Sequence, residues 1–162
     1  MTMTMIVISR EEVQQLRAKF SFEAHSIRQG HSNKAKTKCQ WFVYLDKMAI
    51  IDRLDEVFPG EWEYKMTEPQ LREKHYSAIG SLTIRGITRE FNGTQTADSF
   101  TPGDDEKGCG TDVFRRAASM WGIGAYLYSG PKIWTELPAR DDWDAQRKFE
   151  QQAKELFKRW FR

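Results

Sequence analysis

The sequence KGCGTDVFRRAASMWGIGAYLYSGPKIW, residues 107–134, decides how the rest of the predicted fold is arranged. Its first four residues, Lys-Gly-Cys-Gly, are typical of a loop, and the next two, Thr111 and Asp112, are residue types that cap the start of a helix. Small or apolar residues then recur at three- and four-residue steps, namely Val113, Ala117, Met120 and Gly124, with Leu127 or Tyr128 beyond them. This spacing predicts a helix over residues 111–128 with one apolar face.

Two adjacent arginines, Arg115 and Arg116, lie off this apolar face, one turn after the predicted helix start. A cation at that end of a helix opposes the helix dipole by about a few tenths of a kcal/mol, so the pair indicates an anion supplied from outside the chain. A phosphate could contact both guanidinium groups, Lys107 and the free backbone N–H groups together. Ion pairs with the chain's own carboxylates explain the same residues equally well, and the spacing leaves both interpretations open.

Length and composition predict one domain over residues 1–162, with a core at 9–134 and a C-terminal helix at 141–162. The chain has 162 residues and a hydrophobic fraction of 40%, enough for a single core. The formal net charge is only +2. Affinity for nucleic acid would therefore depend on where basic residues cluster rather than on bulk charge.

The cysteines and the hydropathy pattern predict the compartment. Cys39 and Cys109 lie far apart in the sequence, and we find neither a signal-peptide pattern nor an apolar run of membrane-spanning length. We therefore expect a reducing cytoplasmic compartment and no membrane partner.

Capping residues mark three more helix starts. Ser9 and Glu12 have the spacing of a capping box. Asp46 precedes an amphipathic pattern over residues 48–58, and Asp141 or Asp142 precedes a strongly apolar face that runs to the end of the sequence. A helix this apolar must dock on its own domain or on a neighbouring molecule.

The remaining patterns predict strands. Residues 39–45 are rich in aromatic and β-branched types, and residues 62–67 and 76–85 alternate apolar and polar side chains. Asn92-Gly93 is a strong signal for a two-residue hairpin turn, because both central residues of such a turn need positive φ. We therefore predict the α+β class: an antiparallel sheet of three to five strands packed on the 111–128 helix, with flanking helices.

A basic segment precedes the first of these strands. Residues 23–38 contain Arg28, Lys34, Lys36 and Lys38, and the following strand contains Tyr44. Cations beside aromatic side chains are what a groove for single-stranded nucleic acid needs. A solvated loop is the alternative interpretation of this segment.

The helix region resembles the signature of the Rad-fifty-two-type single-strand annealing proteins, and most closely their bacterial and phage branch, the DNA damage response protein A (DdrA) type. The matching residues are Lys107-Gly108, Thr111-Asp112, Arg115-Arg116-Ala117, Gly122-Ile123-Gly124, Tyr126-Leu127-Tyr128 and Trp134. The resemblance continues upstream in Tyr44-Leu45-Asp46, in residues 51–57, in Gly60 and Trp62, and in residues 84–89. It covers roughly residues 13–134.

The resemblance implies a β-β-β-α core and a homo-oligomer, as a ring. It implies a basic groove that binds single-stranded DNA through its backbone and anneals complementary strands during DNA recombination and repair. Annealing of this kind is implied to require neither ATP nor another cofactor nor a catalytic step. Pairing of complementary strands lowers their free energy by itself once the base edges are accessible. Single-stranded DNA, further copies of the chain and a single-strand-binding protein are the partners it suggests.

The resemblance also implies roles for single residues. The inner-groove basic pair of the family falls on Arg115 and Arg116, the preceding lysine on Lys107 and the strand aromatic on Tyr44. The next basic position of that helix is Ser119 in this chain. This departure shifts part of the expected DNA contact to Lys34, Lys36, Lys38 or Arg28.

Two other functional classes fit parts of the sequence. A metal-dependent nuclease could use Asp46, Asp52, Asp55 and Glu56, but the last three have the i, i+3, i+4 spacing of an ordinary solvated helix face. An oligomeric interaction module without nucleic-acid function would explain the aromatic residues but not the basic ones. We expect no structural metal, because no pair of His and Cys residues has the close spacing of a zinc site.

Overall fold

A computed structural model describes residues 6–97 and 104–162 and divides them between two compact units. The first unit contains the chain up to Lys19 and Lys47–Ala125, and the second contains Phe20–Asp46 and Tyr126–Arg162. The elements in chain order are α1 (Arg10–Arg17), β1 (His25–Ser32), β2 (Lys38–Leu45), α2 (Lys47–Val57), β3 (Trp62–Met66), β4 (Gln70–Arg72), β5 (His75–Ile84), β6 (Ile87–Thr96), α3 (Asp104–Ser119), β7 (Ile133–Glu136) and α4 (Trp143–Phe161).

The first unit is built on a four-stranded sheet in which β5 is central. β6 pairs with the whole length of β5, so β3 and β4 share the opposite edge, and every pairing is antiparallel. Buried and partly exposed residues alternate along the second half of β5, and the buried set is Ala78, Gly80, Leu82 and Ile84. The predicted α+β class with antiparallel strands is confirmed.

Helix α3 lies along β6 in the first unit, and the two run in opposite directions. Four-residue steps on the helix advance about 6 Å and two-residue steps on the strand advance roughly 6.8 Å, so their side chains stay in register. The neighbours are Gly108 with Gln95, Asp112 with Gly93, Arg116 with Phe91, and Met120 with Arg89.

The start of α3 differs from the sequence prediction. The helix begins at Asp104, so the Lys-Gly-Cys-Gly stretch at Lys107 is helical and not a loop. Thr111 does not cap the helix, because its hydroxyl donates to the Lys107 carbonyl one turn earlier. A Cβ at Gly110 would lie 3.5 Å from Met66 and one at Gly108 would lie 3.6 Å from Gln95, which are ordinary van der Waals distances, so packing does not require glycine at either position. The helix passes through both residues despite the low helix propensity of glycine.

The end of α3 also differs. The helix stops at Ser119, and Gly122 and Gly124 then take positive φ values of 89° and 69°. These glycines fit the turn because the left-handed region costs them little. The expected helix over residues 111–128 is therefore replaced by α3, a turn and a short 3₁₀ helix at Ala125–Ser129.

The prediction of a hairpin turn at Asn92-Gly93 was wrong. Both residues lie inside β6, and the turn between β5 and β6 is instead Arg85-Gly86, with φ values of 47° and 77°. Gly93 is buried, and a Cβ there would lie 2.6 Å from Val113 Cγ2. Close approach of α3 to the sheet, rather than a turn, requires this glycine.

Residues next to the first unit's sheet confirm two other predictions. The Ser9 hydroxyl accepts from the Glu12 N–H at 3.1 Å and the Glu12 carboxylate accepts from the Ser9 N–H at 2.8 Å, which is the expected capping box at the start of α1. Helix α2 follows Asp46 and buries Ile50 and Leu54.

The second unit pairs a three-stranded antiparallel sheet, in the order β1-β2-β7, with α4. Its core contains Cys39, Trp41, Ile133, Ala153 and Phe157. Helix α4 therefore docks on its own unit. The Asp142 carboxylate caps it by accepting from the Ala145 N–H at 2.9 Å, as predicted. No helix within residues 6–97 and 104–162 is long and apolar enough to cross a membrane.

Candidate nucleic-acid interface

The face of the β1-β2-β7 sheet that lies opposite its core carries the candidate site. Along β2, Cys39, Trp41 and Leu45 are buried, so Lys38, Gln40, Phe42 and Tyr44 lie on the other side of the strand. Strand register adds the paired residues of the neighbouring strands: Ser26 beside Tyr44, Arg28 beside Phe42, Trp134 beside Gln40, and Glu136 beside Lys38. We call this surface, made by Ser26, Arg28, Lys38, Gln40, Phe42, Tyr44, Trp134 and Glu136, the outer face.

Cations and aromatic rings are close together on the outer face. The guanidinium carbon of exposed Arg28 lies 5.8 Å from the centre of the half-buried Tyr44 ring. The Phe42 ring covers Gly30, where a Cβ would lie 2.3 Å from a ring carbon. Trp134 is 38% exposed. Flat rings next to guanidinium and ammonium groups can stack on bases and contact phosphates.

The turn between β1 and β2 presents the remaining lysines of this group. Asn33 fixes the turn, because its side-chain oxygen accepts from the N–H groups of Thr37 and Lys38, each at 2.9 Å. Lys36 has a positive φ of 57°, and its ammonium group donates to the Ser32 hydroxyl at 3.0 Å. Lys34 is exposed in the same turn. The structure therefore brings Arg28, Lys34, Lys36, Lys38 and Tyr44 together in one hairpin.

The other predicted site residues lie on α3 in the first unit. Lys107 is exposed, and Arg115 and Arg116 are half-buried. Arg116 Nε donates to Asp112 Oδ2 at 2.7 Å, one helical turn away, and its guanidinium carbon lies 5.7 Å from the centre of the Phe91 ring. Arg116 thus has the internal ion pair that the sequence left open.

The dipole argument for an external anion was wrong. Since α3 begins at Asp104, both arginines lie about three turns after its start, and Arg116 is in the last turn. A cation there is stabilised by the helix dipole. The Ser119 hydroxyl, at the position where a further cation was expected, donates to the Arg116 carbonyl at 2.6 Å.

Sequence reasoning missed Phe42, Gln40 and Trp134 as site residues. The alternation of β2 could have found the first two, since they share a face with Tyr44. Trp134 lies on β7, a strand of four residues that was not predicted. Its place beside Gln40 depends on a long-range pairing that no local pattern indicates.

A hydrogen-bond chain lies on the opposite face of β1. The Phe20 N–H donates to the Tyr126 oxygen at 3.3 Å, and His25 contacts the Tyr126 hydroxyl through Nε2 at 2.7 Å and the Phe22 carbonyl through Nδ1 at 3.1 Å. A carbonyl can only accept, so Nδ1 carries the proton and Nε2 accepts from Tyr126. Burial lowers the pKa of His25, although the Phe22 carbonyl partly offsets this effect. The imidazole is neutral in this arrangement.

Asp55, one residue of the acidic cluster in the nuclease alternative, has an ordinary structural role. Its carboxylate accepts from the Trp62 indole N–H at 2.7 Å. Within the described part of the chain, no group of three or more His, Cys, Asp or Glu side chains is placed to hold a metal ion.

Comparison with known families agrees with the resemblance seen in the sequence. The family model of the Rad52/22 family double-strand break repair proteins matches residues 10–142. The chain belongs to this family. The Rad52/22 match includes both the β1-β2 hairpin and α3, so it contains every predicted site residue.

Two curated relatives are similar over most of the chain. The single-stranded DNA-binding protein DdrA of Deinococcus radiodurans is 32% identical over 144 residues, which cover 88% of this chain and 64% of the relative. The protein of the same name from Deinococcus deserti is 30% identical over 122 residues, which cover 74% of this chain and 59% of the relative. The chain thus spans about three fifths of the length of these relatives. No solved structure matches it significantly.

Proposed function

We propose that this protein binds single-stranded DNA on the outer face and anneals complementary strands in DNA recombination and repair. One observation carries the proposal: Arg28, Lys38, Phe42, Tyr44 and Trp134 lie side by side on one sheet surface. The family supports it, and so do the names of the two relatives, which are single-stranded DNA-binding proteins.

Chemistry on this surface would be binding rather than catalysis. Phosphates would contact Arg28 and the hairpin lysines, while Tyr44 and its aromatic neighbours would support the sugar-phosphate chain or stack on single bases. Bound strands would be extended, their charge would be reduced, and most base edges would stay available to a second strand. We therefore infer that annealing by this protein requires neither ATP nor a metal and that the protein is not an enzyme. We also infer that it is cytoplasmic.

The basic residues of α3 are a second part of the proposal. Lys107, Arg115 and Arg116 would contact phosphates of bound single-stranded DNA in the oligomer. A ring or related homo-oligomer would supply a continuous basic path, and a single-strand-binding protein would be the source of the bound strand. Light scattering should then give a mass many times 19.0 kDa, and a stable monomer would contradict the ring.

Annealing of complementary oligonucleotides, with and without ATP, tests the function. We expect annealing that is faster than the spontaneous reaction and does not depend on ATP. Tyr44→Ala should weaken single-strand binding by about 1–3 kcal/mol while the fold survives. Trp143→Ala is the matched control, since Trp143 is 70% exposed on α4, the helix on the core side of the sheet. Equal losses for both variants, or no binding by the wild type, would contradict the proposal.

A further inference from the structure

The second unit contains an open cavity of about 690 Å³ at the free edge of β1. Ser26 and Tyr44 of the outer face line one side of it, and His25 and Ile27 from the opposite face of the sheet line another. Because β1 is the edge strand of the β1-β2-β7 sheet, the cavity can extend around this edge. It is therefore continuous with the outer face at Tyr44.

Aromatic rings form the floor of the cavity. Phe22 stacks on buried Phe157 with ring centres 5.5 Å apart, and Phe161 lies 5.9 Å from Phe22 in an edge-on arrangement. Phe161 also lies 5.0 Å from His25. Phe22 and Phe161 are only half-buried, so part of this floor is open to a planar ligand.

Charged side chains form the rim, and the cations are in excess. Lys154 forms an ion pair with Glu150 at 2.6 Å. The other charged side chains that line the cavity are two cations, Lys158 and Arg162, and one carboxylate, Glu23. The Lys158 ammonium group lies 6.0 Å from the centre of the Phe22 ring. An anion could therefore bind at the rim, directly above the aromatic floor.

The backbone of β1 adds polar groups. The Asp46 N–H donates to the Ala24 carbonyl at 3.0 Å, which makes the even-numbered residues of β1 the ones whose peptide groups face β2. The peptide groups of Ile27 consequently point to the free edge. A strand edge of this kind can hydrogen-bond the edge of a base as it would another strand.

We propose that this cavity binds one unpaired nucleotide of the DNA strand held on the outer face, with the base on the Phe22 and Phe161 rings and a phosphate at Lys158. This inference rests on the proposed function and adds a base-accepting site to it. The volume is within the roughly 300–1,000 Å³ of small-ligand sites. A peptide strand could pair with the same edge, but the excess of cations and the continuity with Tyr44 favour a nucleotide.

Photocrosslinking tests the location. A thymidine oligonucleotide with a single 5-iododeoxyuridine is bound to the full chain, irradiated, and the crosslinked residue is found by mass spectrometry. We expect crosslinks at Phe22 or Phe161 in addition to those at Tyr44. Crosslinks confined to Tyr44, Phe42 and Trp134 would overturn the cavity site while leaving binding on the outer face intact.

Replacing the rim lysine tests the phosphate contact. Lys158→Ala should lower the slope of log affinity against log salt by roughly 0.7, the value for one phosphate contact on a single strand. It should also reduce the crosslink yield at Phe22 and Phe161. Lys148→Ala is the control, because Lys148 lies on the same helix, 5.6 Å from the centre of the Phe149 ring, and does not line the cavity.

The outcomes separate the two proposals. If Tyr44→Ala weakens binding while Lys158→Ala leaves both slope and crosslinks unchanged, the cavity proposal fails and the proposed function stands. If the wild type does not bind the oligonucleotide, both fail. If an amine-reactive crosslinker joins Lys158 to another copy and no iodouracil crosslink reaches the floor, the cavity is a protein contact and the nucleotide site is wrong.

Discussion

Arg116→Ala separates a phosphate ligand from an internal ion pair at α3. Arg116 contacts Asp112 at 2.7 Å and lies over the Phe91 ring, with 38% of its side chain exposed. An arginine held by one carboxylate in this way can still direct part of its guanidinium group towards a ligand. The question is whether the side chain serves the fold alone or also the DNA.

The structure sets the size of the stability change. An exposed ion pair at i, i+4 contributes about 0.3–0.5 kcal/mol, a cation over an exposed ring about 0.5–1 kcal/mol, and a cation in the last helical turn about 0.3–1 kcal/mol. Loss of Arg116 should therefore cost about 1–2.5 kcal/mol of unfolding free energy. If Arg116 contacts a phosphate, the salt slope of single-strand affinity should also fall by roughly 0.7.

Two measurements on each variant check this prediction: denaturant unfolding, and fluorescence anisotropy of a labelled thymidine oligonucleotide across a salt series. Asp112→Asn should keep or raise DNA affinity, because it removes a carboxylate beside the guanidinium group. Arg147→Ala is the matched control, since Arg147 also pairs with an aspartate, Asp144, at 2.6 Å but is 78% exposed on α4. Arg147→Ala should change neither the unfolding free energy nor the salt slope of DNA affinity appreciably.

An unchanged salt slope for Arg116→Ala would refute the phosphate contact. A stability loss of about 3–5 kcal/mol would refute the estimate as well, because losses of that size belong to buried ion pairs whose partner is left uncompensated. Equal slopes for Arg116→Ala and Arg147→Ala, both lower than the wild type, would indicate a general charge effect rather than a site.

Three further predictions concern the fold. Gly93→Ala should lower the unfolding free energy by about 1–3 kcal/mol in a denaturant melt, because its Cβ would lie 2.6 Å from Val113; a neutral result would mean that α3 moves away from β6 easily. Tyr64→Phe should leave the unfolding free energy unchanged or raise it by about 1 kcal/mol in the same denaturant melt. The Tyr64 hydroxyl is buried with no hydrogen-bond partner in the described part of the chain, and burial raises its pKa to about 12. A clear loss of stability would reveal a partner. Because burial lowers the pKa of His25 in the folded state, the folded protein binds fewer protons, and stability should fall as pH drops below 6.5. His25→Gln should remove that part of the pH dependence, and an unchanged pH profile would show that His25 does not cause it.

Local sequence patterns predicted the elements whose signals are short-range. The capping boxes and caps at Ser9 and Asp142 placed the starts of α1 and α4 correctly. The period-two alternation over residues 62–67 and 76–85 gave β3 and β5. These predictions succeeded because a helix cap or an alternating strand depends on residues only a few positions apart in the sequence.

The same kind of reasoning failed where packing outweighs local preference. Asn92-Gly93 is a turn signal by itself, yet Gly93 lies in a strand because α3 approaches the backbone there. Gly108 and Gly110 weaken a helix by roughly 1 kcal/mol each, yet α3 passes through both. A glycine that permits close contact and a glycine that permits positive φ look identical in a sequence.

The sequence by itself determined the family, the α+β class and the basic segment before β2, and it proposed Tyr44 as a candidate contact. Only the tertiary structure decided which side chains share a surface with it. Pairing of β2 with β7 places Trp134 next to Gln40, and the edge position of β1 opens the cavity beside Tyr44. Such neighbours are distant in sequence, and their contacts form only when the whole sheet forms, since the entropy of closing long loops must be offset by the packing of the complete core.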